Sequence, residues 1–258
     1  MNQFGRSLLV VGVSMMASAC GRKGPLLYPD MLVPAAPSAV TAQQSGSVIK
    51  LQFTLPDKDR AGRPVQGVAG VKISRNIAET GQKDVCRSCM TDFLLFNAPL
   101  YLDHLPATTQ RFGNRMVVLD SDVSVGNSYS YRIVPFTGGG VDGAPSPIAD
   151  VRMGVVPLPP PALKIESFPT ELKIKISVYP LIAARMLGYN LYRSSGTGPR
   201  PYLPLNREPL KGDEYVDSAL ERGVKYRYSV KALIVRPSGD IAESAESDVV
   251  EGMLRDDE

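Results

Sequence analysis

Three cysteines carry the most readily interpreted chemistry in this chain: Cys20, Cys86 and Cys89. A cysteine can be acylated, can pair with a second cysteine or can bind a metal, and its surroundings decide which. Cys86 and Cys89 form a C-x-x-C within DVCRSCMTDF. If Cys20 is used at the N-terminus, one pair remains, which suits an exported protein with one small disulfide loop. We therefore expect a Cys86–Cys89 disulfide.

Other uses of the C-x-x-C pair stay open, although its neighbours disfavour them. Haem attachment needs a histidine directly after the pair, where Met90 stands. A structural zinc ion takes four ligands, whereas the two cysteines and His104, the single histidine, supply three. A thiol–disulfide oxidoreductase needs a thiolate at a helix N-terminus in a βαβ unit, which the flanking residues do not indicate.

Signatures of the common catalytic sites do not occur in the sequence. It contains no G-x-S-x-G elbow and no P-loop. The one G-x-G-x-x-G match, GGGVDG from Gly138, lies between two predicted strands and is read as a hairpin loop rather than the start of a helix. We therefore expect no catalytic residue, no metal and no cofactor, and we expect that the protein is not an enzyme. The net charge is only +3, and lysine and arginine are scattered rather than clustered, which argues against a nucleic-acid partner.

The segment that ends at Cys20 has the features of a lipoprotein signal peptide. Arg6 is followed by the apolar run Ser7–Ala19, which is shorter than the roughly 20 residues that span a bilayer. Small residues precede the cysteine as in a lipobox, although Ala17 stands where leucine is usual. We predict residues 1–19 as the signal peptide and a lipid such as palmitate on Cys20. A plain secretory signal and an uncleaved anchor are the alternatives.

The stretch CGRKGPLLYP resembles the start of small outer-membrane lipoproteins of the LptM-like family, which is associated with maturation of the lipopolysaccharide-transport barrel. Seven residues match, and Leu27 departs from the usual tyrosine. The resemblance implies an outer membrane location, an assembly component as one candidate partner, and a helper role in barrel assembly as an alternative function. A tether motif shared by many lipoproteins would explain the same match. The matching residues are Cys20, Gly21, Lys23, Gly24, Pro25, Leu26 and Pro29.

Residues 20–36 are predicted to form an extended tether. Pro25, Pro29 and Pro34 interrupt any helical or strand period, and proline-rich chain runs extended. The absence of aspartate beside Cys20 favours the outer membrane, where we expect the protein to face the periplasm.

The body of the chain contains two copies of one pattern. The phrases VVLDSDVSVGNSYSYRIVPF, from Val117, and EYVDSALERGVKYRYSVKAL, from Glu214, align at a constant separation of 97 residues. This alignment pairs Asp120 with Asp217 and Tyr129 with Tyr226. Because the aspartates are equivalent in both halves, we expect them to serve the fold rather than a site.

Alternating apolar and polar residues predict short strands in both halves. Ile49, Leu51 and Phe53 alternate with polar residues in the first half, and the run from Leu172 does so in the second. About seven such strands per half are typical of an antiparallel sandwich. The fold class is therefore predicted as all-β, with two tandem immunoglobulin-like sandwiches.

The L-x-x-G-x-x-Y-x-Y-x-V-x-A phrase from Leu220 resembles strand F of fibronectin type III domains. The resemblance implies that Tyr129 and Tyr226 are tyrosine corners, whose hydroxyls bond to the preceding loop. The predicted organisation is domain 1 over residues 37–155, a proline-rich linker over 156–161, domain 2 over 162–252 and an acidic, disordered tail over 253–258. Because the linker is rich in proline, we expect the sandwiches to sit end to end as beads on a semi-rigid rod.

Domain 1 also carries an insertion. From Arg75 to Asp120 the chain runs 45 residues, against 24 from Arg193 to Asp217. We expect the apolar stretch FLLFNAPLYLDHLP to pack on its own domain, with added strands at the sandwich edge as one form of this. An exposed patch for a partner is the alternative. We expect a non-catalytic protein-binding or spacer module with an unidentified envelope partner.

Overall fold

The computed structural model describes residues 27–65, 67–79, 92–155, 159–177 and 185–256. Within these ranges the protein is all-β, apart from one short 3-10 turn. Several predicted residues lie outside the described ranges, so their predicted roles stay predictions: Cys20, Gly21, Lys23, Gly24, Pro25, Leu26, Cys86 and Cys89. Among the described residues, no helix has the length and apolar character needed to cross a membrane.

Domain 1 is a sandwich of two antiparallel sheets. One sheet has the order β1-β2-β7-β6, and the other has the order β4-β3-β8-β9, with β5 also paired to β3. Ile49, Leu51 and Phe53 of β2 point between the sheets and meet Tyr131 and Ile133 of β8. The strands are β1 Ser38–Ser45, β2 Val48–Thr54, β3 Val68–Ala78, β4 Leu94–Leu95, β5 Leu100–Tyr101, β6 Thr109–Phe112, β7 Arg115–Asp120, β8 Ser128–Thr137 and β9 Ala149–Arg152.

Domain 2 repeats the arrangement with fewer strands. One sheet has the order β10-β11-β13, and β14 pairs with β12, β15 and β16 on the other side. Leu172 and Ile174 of β11 pack against Leu191, Tyr228 and Val230. Both halves are therefore β-sandwiches. The strands are β10 Ala162–Ser167, β11 Leu172–Ser177, β12 Arg185–Ser195, β13 Glu214–Asp217, β14 Tyr226–Val235, β15 Ile241–Glu243 and β16 Val250–Gly252.

The two domains are not separate beads on a rod. Strand β1 of domain 1 pairs in parallel with β15 of domain 2, through Gln44 with Ala242 and Ser45 with Glu243. One sheet therefore runs through both domains, in the order β12-β14-β15-β1-β2-β7-β6. The linker prolines did not predict this pairing between domains. Edge strands carry unpaired N–H and C=O groups that can hydrogen-bond to a strand of another domain, and the composition of the linker does not determine whether they do.

The described part of the predicted tether is docked on domain 1. Pro29–Met31 forms a 3-10 turn, and the Ala35 N–H donates to the Lys58 carbonyl at 2.9 Å. The Ala144 N–H donates to the Pro34 carbonyl at 2.8 Å. Residues 29–36 therefore belong to the body of domain 1, because two loops supply hydrogen-bond partners that a free polyproline segment would lack.

The described part of the insertion mostly packs on domain 1, and two of its leucines are exposed. Strands β4 and β5 both pair with β3, so the insertion widens the sheet. Leu94 and Leu95 remain exposed, while Leu100 and Phe96 pack on the domain 1 core.

The C-terminal boundary also differs from the prediction. Leu254 is buried in the domain 2 core, and the Arg255 N–H donates to the Phe168 carbonyl at 3.1 Å. Domain 2 thus extends past residue 252, because Leu254 supplies an apolar side chain that the sandwich buries.

Candidate functional site at the junction of the two domains

Lys50 occupies a position where strand alternation predicts exposure to solvent. Its neighbours Ile49 and Leu51 point into the core of domain 1, so the lysine side chain leaves the opposite face of β2. A lysine on such a face is normally solvated. Lys50 is nevertheless only 3% exposed, because domain 2 covers this face of the sheet.

Glu243 of β15 is the partner of Lys50 and is fully buried, at 0% exposure. The Lys50 Nζ lies 2.7 Å from both carboxylate oxygens. Three further donors complete the shell: Ser45 Oγ at 2.6 Å, Asn190 Nδ2 at 2.6 Å and Tyr192 Oη at 2.9 Å. Lys50 and Ser45 come from domain 1 and the other two from domain 2, so this carboxylate binds both domains.

The electrostatics of Glu243 are set by two opposing effects. Burial by itself would raise the pKa of the carboxyl, because a charge is costly in a medium of low polarity. The charges of Lys50 and Lys231, with hydrogen bonds from Lys50 and Ser45, outweigh burial and lower the pKa to about 2. Glu243 is therefore ionised at neutral pH and forms a true ion pair.

Lys231 extends the polar cluster to the protein surface. Its Nζ lies 2.9 Å from Ser45 Oγ and 3.8 Å from a carboxylate oxygen of Glu246. Burial lowers the pKa of Lys231, and the charges of Glu243 and Glu246 oppose that change. Arg200 also contacts Glu246, at 3.0 Å. Together these side chains line a cleft of about 300 Å³ between the domains.

A second set of contacts braces the junction on the side of β6. Tyr202 of domain 2 donates its hydroxyl to the Ala107 carbonyl at 2.6 Å. Gln110 of domain 1 accepts the Tyr202 N–H at 2.8 Å and donates to the Arg200 carbonyl at 2.7 Å. At the other side, the guanidinium of Arg236 bonds Gln44. Contacts between the domains thus extend from Gln44 on β1 to Gln110 on β6.

The junction therefore contains a buried ion pair that is shared by the two domains. Removing one partner of a buried ion pair costs about 3–5 kcal/mol, because the other charge is left buried without compensation. A small rotation that separates Lys50 from Glu243 without admitting water would leave both charges buried and unpaired, so the cluster is matched to the observed arrangement of the two domains.

The predicted tyrosine corners lie at equivalent places in the two sandwiches. The Tyr129 hydroxyl accepts the Ser124 N–H at 2.7 Å, and the Tyr226 hydroxyl accepts the Glu221 N–H at 2.9 Å. Gly126, in the turn before β8, has a φ of 97°, a backbone conformation that glycine adopts most readily.

The equivalent aspartates sit in one repeated cluster of the fold. Asp120 accepts from Arg75 at 2.7 Å and from the Tyr131 hydroxyl at 2.6 Å. Asp217 is equally placed in domain 2, where Arg193 lies at 2.7 Å and the Tyr228 hydroxyl at 2.8 Å. Burial, followed by the hydrogen bond to aspartate, raises the pKa of both tyrosines. The clusters tie β7 to β8 and β13 to β14, as expected of a fold role.

The remaining predicted site residues are dispersed. His104 is exposed, and its backbone N–H donates to the Tyr101 carbonyl at 3.2 Å. Pro29 opens the docked 3-10 turn. Among the residues that the structure describes, no group of three or more histidine, cysteine or acidic side chains could hold a metal ion.

Sequence reasoning missed Lys50 and Glu243. A lysine at an outward position of a strand and a glutamate in a short segment are typical of solvated surface. Nothing in their spacing distinguishes them from the exposed pair Lys173 and Glu214, which lie 2.9 Å apart on the equivalent face of domain 2.

Comparison with solved structures finds many chains of similar fold, of which one from chicken is an example. No protein-family model matches the chain, and no curated protein is significantly similar to it. The crystal structure of the FN1–FN3 domains of chicken CNTN1 aligns with 87% of this chain and 69% of its own, at 13% identity and a TM-score of 0.32. That structure is a tandem of fibronectin type III domains.

Proposed function

We propose that this protein is a lipid-anchored, non-catalytic component of the bacterial outer membrane. In this proposal its two sandwiches act as one fixed unit, a spacer or protein-binding module that faces the periplasm. The observation that carries the proposal is the junction, where a shared sheet and a buried Lys50–Glu243 pair hold both domains in one arrangement.

A fixed junction matters because domains joined by a linker alone usually move relative to each other. A spacer must keep a distance, and a binding module with two domains must present both surfaces together. The shared sheet supplies that constraint through backbone hydrogen bonds, including the Gly46 N–H to the Glu243 carbonyl at 3.0 Å. Arrangements of this kind favour protein-binding and spacing over turnover of a small substrate.

The anchor is tested by the intact mass of protein extracted from membranes. We expect cleavage before Cys20 and the added mass of two or three acyl chains. A Cys20→Ala variant should lose the acyl mass and leave the membrane fraction. A chain that keeps residues 1–19, or a cleaved chain without lipid, would contradict the anchor.

The absence of catalysis is tested on the remaining cysteines. We expect the purified protein and its Cys86→Ser/Cys89→Ser variant to turn over a model disulfide at the same background rate. The same mass measurement reports whether the pair is oxidised, through a difference of two hydrogens on reduction. Turnover that depends on both cysteines would replace the binding module with a thiol–disulfide oxidoreductase.

The resemblance of residues 20–29 to LptM-like lipoproteins favours one class of partner, an outer-membrane assembly component. A chain truncated after Pro37 should then suffice to co-purify the lipopolysaccharide-transport barrel. Failure of the full chain to co-purify that barrel would reject this partner and leave the spacer function to the two sandwiches.

A further inference from the structure

We propose that the end of domain 1 nearest the anchor rests on the bilayer, with exposed apolar side chains in the lipid headgroup region. We call this end the anchor-side end and define it as residues 27–36, residues 55–65 after β2, residues 111–115 around the β6–β7 turn, and the β8–β9 connection. The proposal rests on the proposed acylation of Cys20 and adds a second, non-covalent contact with the membrane.

The first argument is reach. Cys20 and Leu27 are seven residues apart, which at no more than about 3.6 Å per residue spans at most about 25 Å. If residues 27–36 were not docked, the extended chain between Cys20 and Pro37 could span about 60 Å at the same rise per residue. Docking of Pro34 and Ala35 on domain 1 therefore keeps the anchor-side end close to an acylated Cys20.

The second argument is that strand register brings three loops to this same end. Thr54 at the end of β2 pairs with Ser38 at the start of β1 and with Arg115 at the start of β7. In the other sheet, Val68 at the start of β3 pairs with Thr137 at the end of β8. The Ala144 N–H to Pro34 carbonyl bond joins the β8–β9 loop to the N-terminal segment, and the Ala35 N–H to Lys58 carbonyl bond joins the β2–β3 loop to it.

The third argument is the chemistry of the surface. Five large apolar side chains of the anchor-side end are exposed, and Tyr28 is the most exposed of them at 65%. Tyrosine is enriched where protein meets a membrane surface, because its ring is apolar and its hydroxyl is polar. Exposed cations at the same end, Lys58, Arg111 and Arg115, suit anionic headgroups. The five apolar residues are Leu27, Tyr28, Leu32, Phe112 and Val141.

The opposite end of domain 1 is already occupied. Its β1–β2 turn contacts domain 2 through Gly46 and Glu243. The shared sheet therefore directs domain 2 away from the anchor-side end. A bilayer is the occupant that the anchor itself would bring within reach, and it requires no partner protein.

The chain contains no tryptophan, so single tryptophans report the contact without background. We would place them at Phe112 on the anchor-side end and at Phe168 in the β10–β11 turn of domain 2. These phenylalanines are matched in exposure, at 39% and 40%. Tyr28→Trp supplies a second probe at the anchor-side end in case Phe112→Trp perturbs the fold.

Each full-length lipoprotein would be reconstituted in vesicles of phosphatidylethanolamine and phosphatidylglycerol with brominated acyl chains. Flotation shows whether the protein is anchored, and bromine quenching shows which tryptophan meets lipid. We expect all variants to float, with Phe112→Trp and Tyr28→Trp quenched several-fold more than Phe168→Trp.

Equal, weak quenching of all three variants on floating vesicles would overturn the membrane contact while leaving the anchor intact. If quenching in vesicles is weak and equal but the tryptophan of Phe112→Trp is shielded from solvent in native envelopes, the surface would be assigned to a protein partner instead. Variants that do not float would overturn the anchor and, with it, this proposal, and flotation identifies that case.

Discussion

Replacing Lys50 with methionine is expected to unlock the two domains without unfolding either one. Methionine keeps an unbranched side chain of similar length but removes the charge that faces Glu243. The variant leaves a fully buried carboxylate with its hydrogen bonds from Ser45, Asn190 and Tyr192. The junction then has to bury a charge with incomplete compensation.

The size of the effect follows from what remains around Glu243. Removing one partner of a buried ion pair costs about 3–5 kcal/mol. Because the neutral donors and the charge of Lys231 persist, we place the cost near the lower limit, about 3 kcal/mol. That loss corresponds to a roughly 100-fold rise in the population of the opened junction.

Hydrogen exchange measures this opening directly. The Gly46 amide, which donates to the Glu243 carbonyl, should exchange roughly 100-fold faster in Lys50→Met. Amides of the β3–β8 pairing in the domain 1 core should exchange as in the wild type. Small-angle scattering should show a larger radius of gyration, because the opened domains separate.

Two further variants make the test decisive. Lys173→Met removes a lysine from the equivalent strand face of domain 2, where the partner Glu214 is partly exposed, and it should leave the junction unchanged. Lys50→Met/Glu243→Gln removes both charges and should recover part of the protection, because the neutral amide needs no counter-charge and its oxygen still accepts hydrogen bonds from the remaining donors. Unchanged exchange at Gly46 in Lys50→Met would refute the reasoning.

Three other outcomes are expected. The folded pKa of Glu243, about 2, lies below its ordinary value of 4.5, so its contribution to junction stability should be complete above about pH 4.5 and lost as pH falls towards 2. Scattering should therefore shift progressively towards that of Lys50→Met as pH falls through this window, and Glu243→Gln should remove this pH dependence. Tyr129→Phe and Tyr226→Phe should each lower the free energy of unfolding of their own domain by about 1 kcal/mol in urea, and equal stability would argue against the corner bonds. Gly70→Ala should destabilise domain 1 by about 1–3 kcal/mol, because a Cβ there would collide with the Leu100 carbonyl, whereas Gly138→Ala, which has open space, should not.

The fold could be predicted from the sequence because its determinants are local or repeated. Alternation around Ile49 and Leu51 marks a strand whatever surrounds it, since side chains of a strand point to opposite faces. The two copies of the pattern supported each other, and Asp120 and Asp217 could be assigned to the fold because both halves contain them.

The junction could not be predicted because it depends on approach between surfaces that are separate in sequence. Lys50 and Glu243 are 193 residues apart, and each alone is compatible with solvent. The proline-rich linker indicated stiffness but not direction. For the same reason, the docking of Pro34 on the loop after β8 could not be predicted from the sequence. The prolines of this segment are equally typical of a free tether.

The asymmetry between the two copies is the strongest argument that this tandem has a direction. Each domain keeps the same internal cluster, with Arg75 on Asp120 in one and Arg193 on Asp217 in the other, so each can hold its own sandwich together. The lysine of the second strand differs: Lys50 is covered by a neighbouring domain, whereas Lys173 stays partly exposed. Domain 1 thus uses one end for the N-terminal segment and the other for domain 2. A unit built in this way keeps its far domain in a fixed position relative to its N-terminal segment, whereas two domains joined only by a flexible linker would not.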